Sequence, residues 1–274
     1  MQGKVKRRSE VVFIVVISLV LVWVILHLTL HSGAITSPYV IAHRGSSELA
    51  PENTEAAIRK AIEQGIEFVE TDVQRTSDDV LVLMHDNNVE RTTDGVGLIS
   101  EMTWEEVASL DAGSYFSSEF VGEGVPTLNS ILEMAVERDI TLFLEVKSPE
   151  DYPGIETQII GAIQKYQARA QVIIISFDLE WLKVVRKSEA DTSVGWICLW
   201  MGRTSRLPVN KTVHIHWAGI VADPTLVKRT HDKGYQVIAW TVNNLPLMKV
   251  MLWLGVDGIT TDRPDLWMKA TASE

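Results

Sequence analysis

Cysteine is almost absent: Cys198 is the only one in 274 residues. No intrachain disulfide can form, and no cysteine metal cluster is possible. A cysteine-poor chain suits the cytosol and equally a bacterial cell surface, so thiol content leaves the compartment open. A glycine-rich dinucleotide fingerprint and a phosphate-binding P-loop are also missing, which leaves a doubly wound nucleotide-binding sheet without support. No internal repeat or low-complexity segment stands out. Basic residues are scarce, 25 Lys and Arg against 36 Asp and Glu.

The long apolar run is confined to one place. Lys4, Lys6, Arg7 and Arg8 precede Val11 to Leu30, twenty residues without a formal charge, broken only by Ser18, His27 and Thr29. As a helix that length spans a bilayer core of ~30 Å. The basic cluster holds residues 1–10 in the cytoplasm and sends the rest across. Ser32-Gly33-Ala34 offers small residues for signal cleavage, but a signal core is typically about 7–15 residues. The segment is therefore read as an uncleaved single-pass anchor at 11–30, with a linker at 31–38 and an extracytoplasmic domain at 39–274. Four of the basic residues and one acidic residue, Glu10, precede Tyr39, so 39–274 carries a net charge of −14. Such a surface repels nucleic acid.

Beyond the linker, apolar β-rich runs alternate with helical patterns. Strands are expected at 39–42, 68–73, 141–146, 172–176, 194–199, 219–222, 236–241 and 258–260, with a short run at 80–84. Helices are expected at 54–64, 128–138, 155–165, 179–187, 224–233 and 246–253, with a last piece after Pro264. The strands read as continuous apolar runs, the mark of parallel strands buried on both faces. Eight strands alternating with helices predict a TIM (β/α)8 barrel. The unit between the fifth and sixth strands shows no clear helix. Residues 86–125 read as an insertion after the second strand, with a helical segment near Thr103–Leu110 that Thr103 caps.

Charged residues at the ends of buried strands point to chemistry. Active sites of this fold sit at the C-terminal strand ends. His43 and Arg44 follow the first strand, Glu70 and Asp72 lie in the second, His85 and Asp86 follow the short run, and Glu145 and Lys147 end the third. Residues two apart on a strand share a face, so Glu70 pairs with Asp72 and Glu145 with Lys147. Three carboxylates packed together repel one another, and a hard divalent cation relieves this. The other reading is an ion-pair network with Arg44 and Lys147. Oxygen ligands favour Mg2+ or Ca2+. His43 and His85 are the groups suited to proton transfer, and Arg44 and Lys147 suit phosphate oxygens.

The segments HRGSSELAPENTEAAI, EFVETDVQRTSDDVLVLMHD, RTTDG, LFLEVK and GVDGITTDRP together resemble the glycerophosphodiester phosphodiesterases, over about Tyr39 to Pro264. The resemblance implies a TIM barrel that hydrolyses glycerophosphodiesters to an alcohol and glycerol 3-phosphate with a divalent cation. It implies His43 and His85 as the catalytic pair, Glu70, Asp72 and Glu145 as metal ligands, and Arg44 and Lys147 as phosphate contacts, with Asp86 the acid after the second histidine. Rival readings are lysophospholipase D action on lysophospholipids in the bilayer, cleavage of a polyglycerol phosphate polymer, and a barrel that only binds phosphodiesters. The two histidines and three carboxylates speak against the last, since binding alone needs no proton-transfer groups.

Weaker signals remain. Trp240 either stacks on the glycerol or packs the core. Asn53 or Thr54 caps the first helix. Asp262 is read as the cap of the last helix rather than a mouth residue. His214 and His216 share a face if extended, and without a nearby carboxylate they are read as surface residues rather than a metal pair. Phe116, Phe120 and Val121 offer an apolar rim or fill the core of the insertion.

Overall fold

The computed structural model describes residues 38–201, 210 and 212–271. Eight parallel strands form a closed barrel: β1 (Tyr39–His43), β2 (Phe68–Arg75), β4 (Thr141–Glu145), β5 (Val172–Ser176), β6 (Ser193–Cys198), β7 (Thr212–His216), β8 (Gln236–Trp240) and β9 (Gly258–Thr261). Each pairs with its neighbours in chain order, and β1 closes the ring by pairing with both β9 and β2. A short strand, β3 (Leu81–Leu83), pairs antiparallel with the outer half of β2.

The strands read as continuously apolar because both faces are covered. Ile41, Phe143, Ile173, Ile175, Ile197 and Ile238 fill the barrel interior. The alternate residues, such as Val40, Ala42, Val69, Leu142, Leu144 and Ile174, pack outward against the helices. Several of those helices begin at a side chain that accepts from a free backbone N–H of the first turn. Thr54 accepts from Ala57 N to start α1 (Glu55–Glu63), Thr127 starts α3 (Leu128–Arg138) and Asp178 starts α5 (Leu179–Ser188). Between α3 and α5 lies α4 (Ile155–Lys165), and Asn244 caps α8 (Leu245–Trp253).

The insertion builds a small core of its own. Val82, Met84, Val89, Ile99, Val107, Ala112 and Val125 pack together beside β3. Its helix α2 (Trp104–Ala108) starts with a reciprocal capping box between Thr103 and Glu106. Phe116 and Phe120 meet edge to face at 5.6 Å, half-buried, while Val121 is exposed.

One expected strand falls elsewhere. Residues 219–222 belong to α6 (Trp217–Ala222), and the sixth principal strand runs from Thr212 to His216. Thr212, His214 and His216 interrupt that strand with polar groups, so its apolar signal is weak, while the following AGIVA stretch looks strand-like. Gly219 is set by the fold: a Cβ there would meet the Leu199 carbonyl oxygen at 2.5 Å. Next comes α7 (Leu226–His231), shorter than the 224–233 expected, and α9 (Trp267–Thr271) ends the described chain. Among the described residues no helix is long and apolar enough to cross a membrane. The expected anchor at 11–30 and most of the segment without a clear helix (202–209 and 211) lie outside the described residues.

Candidate active site

The C-terminal strand ends enclose a cavity of about 240 Å³. His43, Arg44, Glu70, His85, Glu145 and Lys147 form one wall, and Ile175, Phe177, Ile197 and Trp240 form the other. A larger hollow of about 480 Å³ lies at the opposite end of the barrel, beside Tyr39, Phe68 and Trp267. Among the described residues its only charged lining groups are Glu67 and Asp265, whereas the smaller cavity gathers acids, bases and cations at the strand ends.

The turn after β1 is built for close approach. Arg44 sits at φ 55° and Gly45 at φ 82°. A Cβ on Gly45 would lie 2.6 Å from the backbone of Ala57 in α1, so only glycine fits. Left-handed backbone is strained for arginine, and such strain persists only where neighbours fix it. Here Arg44 N donates to Glu70 Oε2 at 3.0 Å, and Asn53 N donates to Arg44 O at 3.0 Å. Asn53 is also left-handed, at φ 57°. Its side chain clasps Asp72: Nδ2 donates to Oδ2 at 2.8 Å, and Asp72 N donates to Asn53 Oδ1 at 3.1 Å. Thr54 alone caps α1. Asn53 instead orients a carboxylate.

Glu70, Asp72 and Glu145 are all buried, with one oxygen from each lying within 4.8 Å of the others. Parallel pairing brings this about, since Asp72 stands opposite Glu145 and Glu70 opposite Phe143. Glu70 Oε1, Asp72 Oδ1 and Glu145 Oε1 have no hydrogen-bond partner. Lys147 Nζ reaches Asp72 Oδ1 at 2.9 Å, but off the hydrogen-bonding direction, so it neutralises charge without satisfying the oxygen. Buried acceptors without a hydrogen bond are costly, and a cluster of three such carboxylates fits a hard cation with oxygen ligands. The electrostatics agree. Burial, then Asp72 and Glu145, push Glu70 well above the carboxylate range, and burial with Asp72 pushes Glu145 up to about 8. Burial also acts on Asp72, but Lys147, Arg44 and His85 outweigh it and hold that carboxyl at about 2.

Both histidines rest their Nδ1 on a carboxylate. His43 Nδ1 is 2.6 Å from Asp262 Oδ1, and His85 Nδ1 is 2.5 Å from Asp86 Oδ1. With Nδ1 engaged, Nε2 is the nitrogen left for the cavity. His43 Nε2 lies 3.8 Å from Glu70 Oε2. Asp262 is held by Ser47 Oγ at 3.0 Å and by Asn243 Nδ2. It is therefore a mouth residue and not a helix cap, because the helical turn after it caps without a side chain. Gln74 cradles the backbone around His85, donating to Met84 O at 3.0 Å and Asp86 O at 2.6 Å. Burial lowers the His85 pKa, with Arg44 and Lys147 adding to this against Asp72.

Arg44 is drawn toward two acids, with Nη1 at 2.9 Å from Glu52 Oε1 and Nε at 3.2 Å from Asp72 Oδ2. Trp240 is half-buried at the cavity wall, edge to face with Phe177 at 5.6 Å and with His216 at 5.2 Å. His214 is no surface residue. It lies at the cavity floor, hydrogen-bonded to Thr212 Oγ1 at 2.9 Å, and burial lowers its pKa to about 3. His216 Nδ1 accepts from Ala218 N and caps α6. The reading of residue types alone missed Asn53, Gln74, Phe177 and the mouth position of Asp262. Only the unusual density of polar residues in PENT and TTDRP hinted at the first and last.

Seven of the residues expected at the site, His43, Arg44, Glu70, His85, Glu145, Lys147 and Trp240, line the cavity, and the eighth, Asp72, clusters with Glu70 and Glu145. Residues 43–266 match the glycerophosphoryl diester phosphodiesterase family. A glycerophosphodiester phosphodiesterase of Caldanaerobacter subterraneus is 38% identical over 229 residues, covering 82% of this chain and 94% of that protein. Mouse glycerophosphodiester phosphodiesterase 1 is 47% identical over 236 residues, covering 74% of this chain and 71% of that one. A phosphodiesterase structure from Oleispira antarctica, in complex with the product sn-glycerol 3-phosphate, is similar with a TM-score of 0.77. It is 32% identical and covers 86% of this chain and 98% of that one.

Proposed function

The chain belongs to the glycerophosphoryl diester phosphodiesterase family and is an enzyme of that activity; from that premise we propose a membrane-anchored, extracytoplasmic hydrolase that uses a divalent cation, Mg2+ or Ca2+, to release glycerol 3-phosphate from small glycerophosphodiesters. The observation that carries the metal is the cluster of three buried carboxylates, Glu70, Asp72 and Glu145, each with an oxygen that lacks a hydrogen-bond partner. When bound, the cation supplies Lewis acidity at a nonbridging phosphate oxygen.

The protein's own groups do the rest. Arg44 offers a forked donor and Lys147 a point charge to the remaining phosphate oxygens. His85, kept neutral by burial and neighbouring cations, takes the proton of the attacking oxygen through Nε2. As that oxygen bonds to phosphorus, the bond to the alcohol breaks. His43, held by Asp262 and facing Glu70, gives its proton to the departing alkoxide. Asp86 and Asp262 fix the two rings and stabilise the imidazolium form. If the attacker is the glycerol 2-hydroxyl, a cyclic phosphate forms first and water opens it; if it is water, one step suffices. The apolar wall of Ile175, Phe177, Ile197 and Trp240 takes the carbon skeleton of the substrate.

The basic cluster Lys4, Lys6, Arg7 and Arg8 ahead of the apolar run 11–30 supports an anchor that leaves the catalytic domain outside the cytoplasm. A second reading, lysophospholipase D, draws on three exposed apolar side chains beyond β5 and β6, Phe177, Leu199 and Trp200, which would receive an acyl chain. Parallel assays on glycerophosphocholine, glycerophosphoethanolamine, glycerophosphoglycerol and a lysophospholipid separate the two. Release from the water-soluble diesters supports the first reading, and turnover of the lysophospholipid alone would replace it.

A further inference from the structure

The motif Arg91-Thr92-Thr93-Asp94-Gly95 takes no part in the chemistry described so far. Arg91 opens the insertion, and its side chain is nearly half exposed. The backbone beneath it is fixed. Thr92 and Thr93 are buried, Thr93 Oγ1 donates to Val89 O at 2.8 Å, and Thr93 N donates to the same oxygen at 3.0 Å. From this footing the guanidinium reaches two carboxylates on different loops. Arg91 Nε is 2.5 Å from Asp86 Oδ2. Arg91 Nη1 and Nη2 donate in parallel to Glu52 Oε2 and Oε1 at 2.8 and 2.7 Å.

Each of those carboxylates holds a residue assigned to the reaction. The other oxygen of Asp86 holds His85, and Glu52 holds Arg44. Charges therefore alternate from Asp86 through Arg91 and Glu52 to Arg44, with His85 hydrogen-bonded at the Asp86 end. The insertion grips the same segment twice more: Glu52 N donates to Tyr115 Oη at 3.1 Å, and Ala56 N, in the first turn of α1, donates to Glu123 Oε1 at 2.9 Å. An exposed ion pair adds little to stability. A bidentate fork, by contrast, fixes geometry in a way a lysine ammonium cannot.

We propose that Arg91 is a positioning residue that sets the proton-accepting histidine and the phosphate-holding arginine in register, by clamping Asp86 and Glu52 together. This rests on the roles given above to His85 and Arg44. Without the clamp the two carboxylates are free to move apart, and the His85 ring and Arg44 guanidinium that they hold take up more than one position. Displacements of about 1 Å in such machinery cost on the order of 10²-fold in rate.

The test uses the full chain with Arg91→Ala, Arg91→Lys, Asp86→Asn and the Arg91→Ala/Asp86→Asn pair. Arg91→Ala should lower kcat about 10- to 100-fold, with the thermal midpoint within about 2 °C of the parent. Arg91→Lys should stay within about threefold of the alanine variant, because one ammonium cannot serve both acids. Free guanidinium should restore part of kcat to Arg91→Ala and none to the parent. The losses of Arg91→Ala and Asp86→Asn should combine to less than their product. Full kcat in Arg91→Ala, or losses that multiply, would overturn the proposal. Imidazole 15N spectra supply a readout independent of turnover. Arg91→Ala should turn the single His85 ring state of the parent into a mixture, and an unchanged His85 spectrum would overturn the clamp. A parent chain that releases no glycerol 3-phosphate would instead defeat the functional reading, and the spectra would still decide the clamp.

Discussion

His43 Nδ1 lies 2.6 Å from Asp262 Oδ1, although 219 residues separate them in the chain. The barrel makes the contact by closing β1 onto β9. Asp262 fixes which ring nitrogen carries the proton, and it is itself fixed by Ser47 and Asn243. Asp262→Asn keeps the shape and removes the charge. Its kcat should fall about 10³-fold, as expected when an orienting carboxylate is lost, with little change in thermal midpoint. Steady-state kinetics beside a melting curve check this.

Replacing either histidine proposed to transfer a proton should cost more than replacing Arg44 or Lys147. His43→Ala and His85→Ala should each lower kcat by about 10²–10⁴-fold or more. Neither ring fills the core, since both are partly exposed at the cavity, so the circular dichroism spectrum should be unchanged. Full activity in either folded variant would remove that histidine from the mechanism.

The acidic cluster predicts a pH-dependent response to metal. Glu70 and Glu145 have folded-state pKa values raised above those of an unfolded chain, Glu145 to about 8. Their protonated forms favour folding at low pH, and this contribution is lost as pH rises toward 8. Asp72, held at about 2, acts oppositely, its contribution being present at neutral pH and lost as pH falls below the ordinary Asp value of about 3.9. The metal-free protein should therefore lose stability between pH 5 and about 8. A divalent cation needs the ionised carboxylates, so the rise in melting temperature that it gives should be larger at pH 8 than at pH 6. A rise that shrinks with pH would contradict the site.

Removing one of these carboxylates should separate stability from function. Glu70→Gln relieves repulsion within a buried cluster, so the metal-free protein should melt higher than the parent by a few °C. The same variant should lose most of its cation-induced rise and at least about 10²-fold in kcat. Calorimetry with EDTA and with Mg2+ or Ca2+ measures both effects.

Much of this site was legible because a charged residue inside an apolar strand run has few structural excuses. Glu70 and Asp72 lie within such a run and His43, Arg44, His85, Glu145 and Lys147 at the ends of others, and the spacing of Glu70 with Asp72 places both on one face. The barrel was legible from the alternation of apolar strands with helices. The sixth strand was not, because His214 faces the cavity floor and makes Thr212–His216 look polar. Asn53 was mistaken for a possible cap because its role depends on left-handed backbone, which residue types do not reveal. Asp262 was ambiguous for a similar reason: an acid before a proline suits a helix start as well as a mouth, and only closure of β9 onto β1 decides.

The most direct test of the account is release of glycerol 3-phosphate by residues 38–274, stripped with EDTA and then supplied with Mg2+ or Ca2+. Release should stop after stripping, return with one of the two cations, and not return in Glu70→Gln. Undiminished release in EDTA, with the cation shown to be gone, would contradict the role given to Glu70, Asp72 and Glu145.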